Sequence, residues 1–325
     1  MACSSSGHCR AKHSTDMVST LYLSQQAPSI LDRRLTSKSS VQPLTIPGCE
    51  HLEEQETVEK LFVACLQTGD DKSALLCFEH LTQCFGLSNE RVTGLRGLYE
   101  EAIAEDDTGL ENCLQKYNKL LQENPVNVPI LKRRVALLRS MSRIADAIAA
   151  LIEFIDAIPT DAEAWCELAD LYQSQGMSSQ AIFCLEEALL IAPNAWNILA
   201  QLGEVLYITA SSQEAETARK LLGRSISLFC RSIELCDDYL RGFYGLVLVS
   251  STLLNSSDGP LHNSFNASVG DTPSKDHLKR LHAFARKKLW DILKSRLSLS
   301  QQEYGCSEGD LIAARELLDR LGDSK

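Results

Sequence analysis

No stretch of the chain is apolar for long enough to cross a bilayer. The longest apolar run, Gly242–Leu254, holds about 13 residues against about 20 for a spanning helix, and reads as a buried helix. The first residues lack the basic-then-apolar plan of a secretory signal and no lipidation motif occurs, so membrane association is expected to be indirect, through partners. Positive charge is scarce: 32 Lys and Arg face 43 Asp and Glu, a net charge of −11. That balance argues against nucleic acid, because neutralising phosphates takes a concentrated basic face. The short basic runs Lys132–Arg134 and Arg286–Lys288 read as solvated helix faces or partner contacts. The 12 cysteines have no CxxC spacing. Cys65, Cys77, Cys84, Cys113, Cys166 and Cys184 fall in helical segments and read as small hydrophobes in a reducing compartment. Phosphate-binding glycine loop, nucleophile elbow and HExxH are all missing. Cys3, His8, Cys9 and His13 form the one metal-like cluster, but their spacing fits no standard finger and they lie in a tail with nothing to orient ligands. No catalytic residue, cofactor site or metal site is therefore assigned.

What the chain has instead is a period. Pro125, Pro159 and Pro193 stand 34 residues apart, each closing an apolar helical stretch. In the clearest copy, Ala162–Pro193, Trp165, Leu168 and Tyr172 form one stripe of a first helix, and Ala169 and Ala181 are small where two antiparallel helices must approach. Gly176 permits the turn, and Pro193 stops the second helix because the residue before a proline is pushed out of the helical region. This is the tetratricopeptide pattern, a helix–turn–helix unit repeated every 34 residues. The position of Trp165 in it marks the ring as core.

The expected fold is all-α: a right-handed α-solenoid of tetratricopeptide helical hairpins. Residues 1–54 form a low-order segment with a short helix near Asp16–Leu23, and the array runs over 55–322. Clear repeats cover 94–193 and divergent ones 55–93 and 194–298. About ten extra residues near Ser211–Leu222 lengthen a turn or a helix, 255–276 is a polar mobile loop, and 308–322 is a capping helix. In such arrays the first helices line a concave wall through their second, fifth, ninth and twelfth positions. That rule selects Lys132, Arg139, Glu163, Asp170, Gln173, Asn197, Glu204 and Tyr207 as candidate partner-binding residues. The Lys/Asn carboxylate clamp of chaperone-tail receptors is not reproduced, since Asp170 and Glu204 occupy the ninth position.

Glu163-Ala164-Trp165, then Glu167 to Tyr172 (ELADLY) and Ala181 to Glu187 (AIFCLEE), together with Ala74 to Leu81, Leu121 to Pro125, Lys132-Arg133-Arg134 and Arg241 to Leu246, carry a resemblance. In order and separation they resemble subunit 2 of the endoplasmic reticulum membrane protein complex, over roughly residues 56–254. The resemblance implies a non-catalytic, cytosolic scaffold subunit, peripheral to the endoplasmic reticulum membrane. It also implies partners: the cytosolic parts of subunits 3 and 5 and an 8/9-type subunit of an assembly that inserts tail-anchored and multipass proteins. A generic tetratricopeptide adaptor of another complex is the alternative.

Overall fold

The computed structural model describes residues 17–37, 50–256, 274–298 and 308–322, among which there are fourteen helices and no strand. In chain order they are α1 (Met17–Ser37), α2 (Glu50–Thr68), α3 (Asp71–Phe85), α4 (Glu90–Ala102), α5 (Asp107–Glu123), α6 (Val128–Ser140) and α7 (Ile144–Ala157). There follow α8 (Ala162–Ser174), α9 (Ser178–Ile191), α10 (Trp196–Ala210), α11 (Ala215–Leu235), α12 (Leu240–Ser256), α13 (Lys275–Ser298) and α14 (Glu308–Gly322). The chain is an all-α tetratricopeptide solenoid, and it divides into two compact units, Met1–Leu151 and Ile152–Lys325. The candidate metal cluster of the tail and most of the predicted loop 255–276 lie outside the described residues.

The period survives as helix boundaries. Helices α6, α8 and α10 begin at Val128, Ala162 and Trp196, while α5, α7 and α9 end at Glu123, Ala157 and Ile191, in steps of 34 residues. Capping residues keep the same step: Asn127 Oδ1 accepts from the Ile130 amide at 3.2 Å, and Asp161 Oδ1 from the Ala164 amide at 3.0 Å. Each satisfies a donor that the helix cannot. At the next copy Ala195 holds nearly the same backbone geometry with no side chain to cap α10. The turn also repeats, for Gly176 has φ 72° and Ser142, one period earlier, takes φ 59° without being glycine.

In the first unit α1 packs on α2 and α3. Its Ala27 and Leu31 are buried with Val58, Leu61, Phe62, Cys65 and Leu81, and Thr68 Oγ1 donates to Ser24 Oγ at 2.8 Å. At 21 residues α1 is longer than the short helix that the sequence predicts in 1–54, and α2 already starts at Glu50. The binary pattern that would reveal α1 is blurred by Pro28 inside it.

In the second unit α8 pairs with α9, α10 with α11, and α12 with α13, on which α14 packs. The Phe229 ring fills the space left by two glycines: a Cβ on Gly203 would lie 3.1 Å from it, and one on Gly245 would overlap it. The extra residues near 211–222 are divided among three places. Helix α11 has 21 residues against 14 in α9, α10 has 15 against 13 in α8, and the turn between α10 and α11 takes the remaining one. Leu222 is the first buried residue of α11, so the added length lies ahead of the core stripe.

One expectation is corrected. Trp165 is only partly buried. Its ring meets Phe183 edge-on with centroids 6.1 Å apart, and its Nε1 donates to the Pro159 carbonyl at 2.9 Å. The core positions of α8 are filled by Ala164, Leu168, Ala169 and Leu171, which leaves the indole at the margin, tying the helix to the turn before it.

Candidate partner-binding face

The helical period that buries Leu168 and Ala169 on α8 and Leu199, Leu202 and Leu206 on α10 turns the predicted inward positions toward water. Glu163, Asp170 and Asn197 are exposed, and Gln173, Glu204 and Tyr207 are half-buried. Two of these acids are already engaged. Gln201 Nε2 donates to Asp170 Oδ1 at 2.6 Å, and Arg241 Nε, with Nη2 beside it, donates to Glu204 Oε2 at 2.9 Å. Tyr207 Oη lies 3.5 Å from Thr252 Oγ1. In the first unit, α6 carries Lys132 half-buried and Arg139 exposed, and both interact electrostatically within the chain.

Gln201 and Arg241 fall outside the inward-position selection, yet they decide what the acids present to a partner. A signal for Arg241 exists, since it takes the second position of α12 once the ten extra residues are counted. Such links recur in both units. Arg91 holds Glu59, Arg133 holds Glu101 and Arg143 holds Glu111, each across 32 residues, and Arg224 holds Glu186 across 38. The acid sits on one hairpin and the arginine about one repeat later, so these pairs stitch successive hairpins.

The field on α8 is negative. Burial first, then Asp170, Glu163 and Asp161, push the Cys166 thiol up to about 12. Such a surface favours a partner that brings cations or hydrogen-bond donors and disfavours a terminal carboxylate. It offers no activated nucleophile, because a thiol held protonated is inert. The contact of Ser250 Oγ with His282 Nδ1 at 2.9 Å is closed to substrate: Ser250 is fully buried and its hydroxyl also meets the Leu246 carbonyl at 2.6 Å. Among the described residues no three His, Cys, Asp or Glu side chains gather to hold a metal, and no helix is long and apolar enough to cross a membrane.

Residues 75–213, which include every predicted inward residue, match the family described as the EMC2 TPR-like repeat domain. The TPR repeat protein oca3 of Schizosaccharomyces pombe is 34% identical over 237 residues, covering 72% of this chain and 80% of its own. ER membrane protein complex subunit 2 of Xenopus tropicalis is 31% identical over 221 residues, 68% of this chain and 67% of its own. The chain belongs to the ER membrane protein complex subunit 2 family. A more distant subunit 2, from Saccharomyces cerevisiae, is 24% identical over 201 residues, 60% of this chain and 69% of its own. The family model stops short of α11, α12, α13 and α14.

Proposed function

We propose that the chain is a non-catalytic scaffold subunit of an ER membrane protein complex. It sits on the cytosolic face of the endoplasmic reticulum membrane and braces the membrane-embedded subunits while the assembly inserts tail-anchored and multipass proteins without an energy source. The observation that carries this reading is the 31% identity to a curated subunit 2 over 68% of the chain. The site supports it in kind, since the accessible inward side chains present charged and polar groups suited to a polypeptide. The partners in this reading are the cytosolic parts of subunits 3 and 5 and an 8/9-type subunit. The residues that hold them are Lys132 and Arg139 in the first unit and Glu163, Asp170, Gln173, Asn197, Glu204 and Tyr207 in the second.

Affinity purification of the tagged chain from detergent-solubilised membranes tests the reading. Membrane-embedded subunits of the complex should co-purify in stoichiometric amounts. Recovery of a different, soluble assembly would replace this reading with that of a general tetratricopeptide adaptor. The double substitution Lys132→Glu, Asp170→Lys should cost no more than about 1–2 kcal/mol, for Lys132 is half-buried and Asp170 loses its bond from Gln201, while releasing the membrane subunits and lowering client insertion. Full retention of both would remove these two residues from the interface.

A further inference from the structure

Helix α13 is strongly basic. It carries eight Lys and Arg against two Asp in a chain whose net charge is −11. Its apolar stripe, Leu278, Ala285, Leu289 and Leu293, is buried against α12 and α14. The opposite stripe is exposed along the helix and carries Lys279, Arg280, Lys287 and Lys294, with Trp290 among them. These four cations have no hydrogen bond or ion pair among the described residues. Elsewhere the arginines Arg91, Arg133, Arg143, Arg224 and Arg241 are each held by a carboxylate of another helix. Trp290 is 53% exposed and stacks on no other ring among the described residues, whereas Phe284 of the same helix leans on Phe243 with centroids 6.3 Å apart. Asp291, beside the indole, is the acid that interrupts the stripe.

We propose that the outer face of α13 rests on the anionic headgroups of a lipid bilayer. The cations extend from residue 279 to 294, about 22 Å along the axis, and stand on a helix ridge rather than in a groove. A ridge of long, flexible lysines fits a plane of negative charge better than it fits a single acidic peptide, which needs a cleft to order it. An indole with an apolar body and a polar N–H is the side chain that settles at headgroup depth. The apolar side of α13 is used up in the core, so the contact is electrostatic and superficial, with Trp290 its one inserted group. It supplements attachment through partner subunits and does not depend on the complex reading, because it is read on the chain alone.

Flotation of the full-length chain with lipid vesicles decides the matter. The chain should float with phosphatidylcholine vesicles that contain phosphatidylserine at low ionic strength, and should be released at about 0.5 M salt, where screening is short-ranged. Vesicles of phosphatidylcholine alone should not carry it. The triple variant Lys279→Glu, Lys287→Glu, Lys294→Glu should lose at least about five-fold in affinity per lysine, more than roughly a hundred-fold in all, with an unchanged thermal melt. If that variant melts early, the triple Lys→Gln exchange replaces it and should lose affinity in the same direction. Trp290→Ser should weaken binding several-fold. Three outcomes would overturn the proposal: no flotation of the native chain at low salt, equal binding to neutral vesicles, or capture by polyglutamate and not by vesicles.

Discussion

At the scale of single residues, the repeat supplies its own controls, because the same position can be compared across copies. Asp161 and Ala195 have nearly superposable backbones, φ −84° and −77° with ψ 95° in both, yet only Asp161 caps its helix. Ala195→Asp should therefore stabilise the protein by about 1 kcal/mol, measured by urea denaturation, through the missing cap and a favourable charge at the helix start. Ser142 holds the left-handed turn that Gly176 makes without strain, so Ser142→Gly should add about 0.5–1 kcal/mol by the same measurement. Gly245→Ala should do the reverse. A methyl there collides with the Phe229 ring, and a loss of about 1–3 kcal/mol is expected. Trp165→Ala should cost about 1–2 kcal/mol, below the 3–5 of a fully buried ring, because what disappears is one hydrogen bond and an edge contact.

At the scale of elements, the cross-repeat pairs are the feature that periodicity alone could not disclose. Apolar positions at helical spacing revealed where helices begin and end, because burial is enforced at every turn; the pairing of an acid with an arginine a repeat later depends on side-chain reach. The clearest case is Glu101, which receives both Arg133 and the Tyr117 hydroxyl while only 11% of its side chain is exposed. Burial, then the bond to Glu101, raise the Tyr117 pKa. Glu101→Gln should cost about 1–3 kcal/mol in chemical denaturation, since it leaves a half-buried guanidinium with a neutral partner. Legibility fell off for the same physical reason at α1, whose buried Ala27 and Leu31 are sparse within a polar helix, and at Trp165, where a repeat position implied burial that its neighbours had already filled. The family-specific motifs lie in the central helices, where both repeat geometry and sequence are most regular. The candidate face was legible as positions on a helix. Of its partners within the chain, Arg241 stands at a readable inward position of α12 and Gln201 at none.

At the scale of the whole molecule, protonation sets a plateau of stability. Burial, seconded by nearby carboxylates at Cys166, pushes that thiol up to about 12 and, with burial as the chief cause, those of Cys184, Cys230 and Cys236 up to about 11, against an ordinary 9.0. Raised folded values mean stability that is complete below pH 9.0 and is lost as pH climbs through 11 to 12. His282 has the opposite sign: burial and then Arg286 lower it from 6.5, so its contribution is present above pH 6.5 and falls away on acidification. Thermal melts should accordingly be flat between about pH 6.5 and 9 and decline on both sides; a rise above pH 9 would contradict the thiol environments. The long α11 has a different kind of consequence. Seven of the ten added residues entered it, which is nearly two whole turns and rotates the downstream face by only about 20°, whereas ten in one helix would have rotated it by about 80°. Within α11, added length keeps the core stripe in phase only when it comes in nearly whole turns. Across relatives, the length of α11 ahead of the Phe229 position should therefore vary by three, four or seven residues, with odd ones or twos taken up at the end of α10 and in the turn, a quantised record that a collection of related sequences can be searched for.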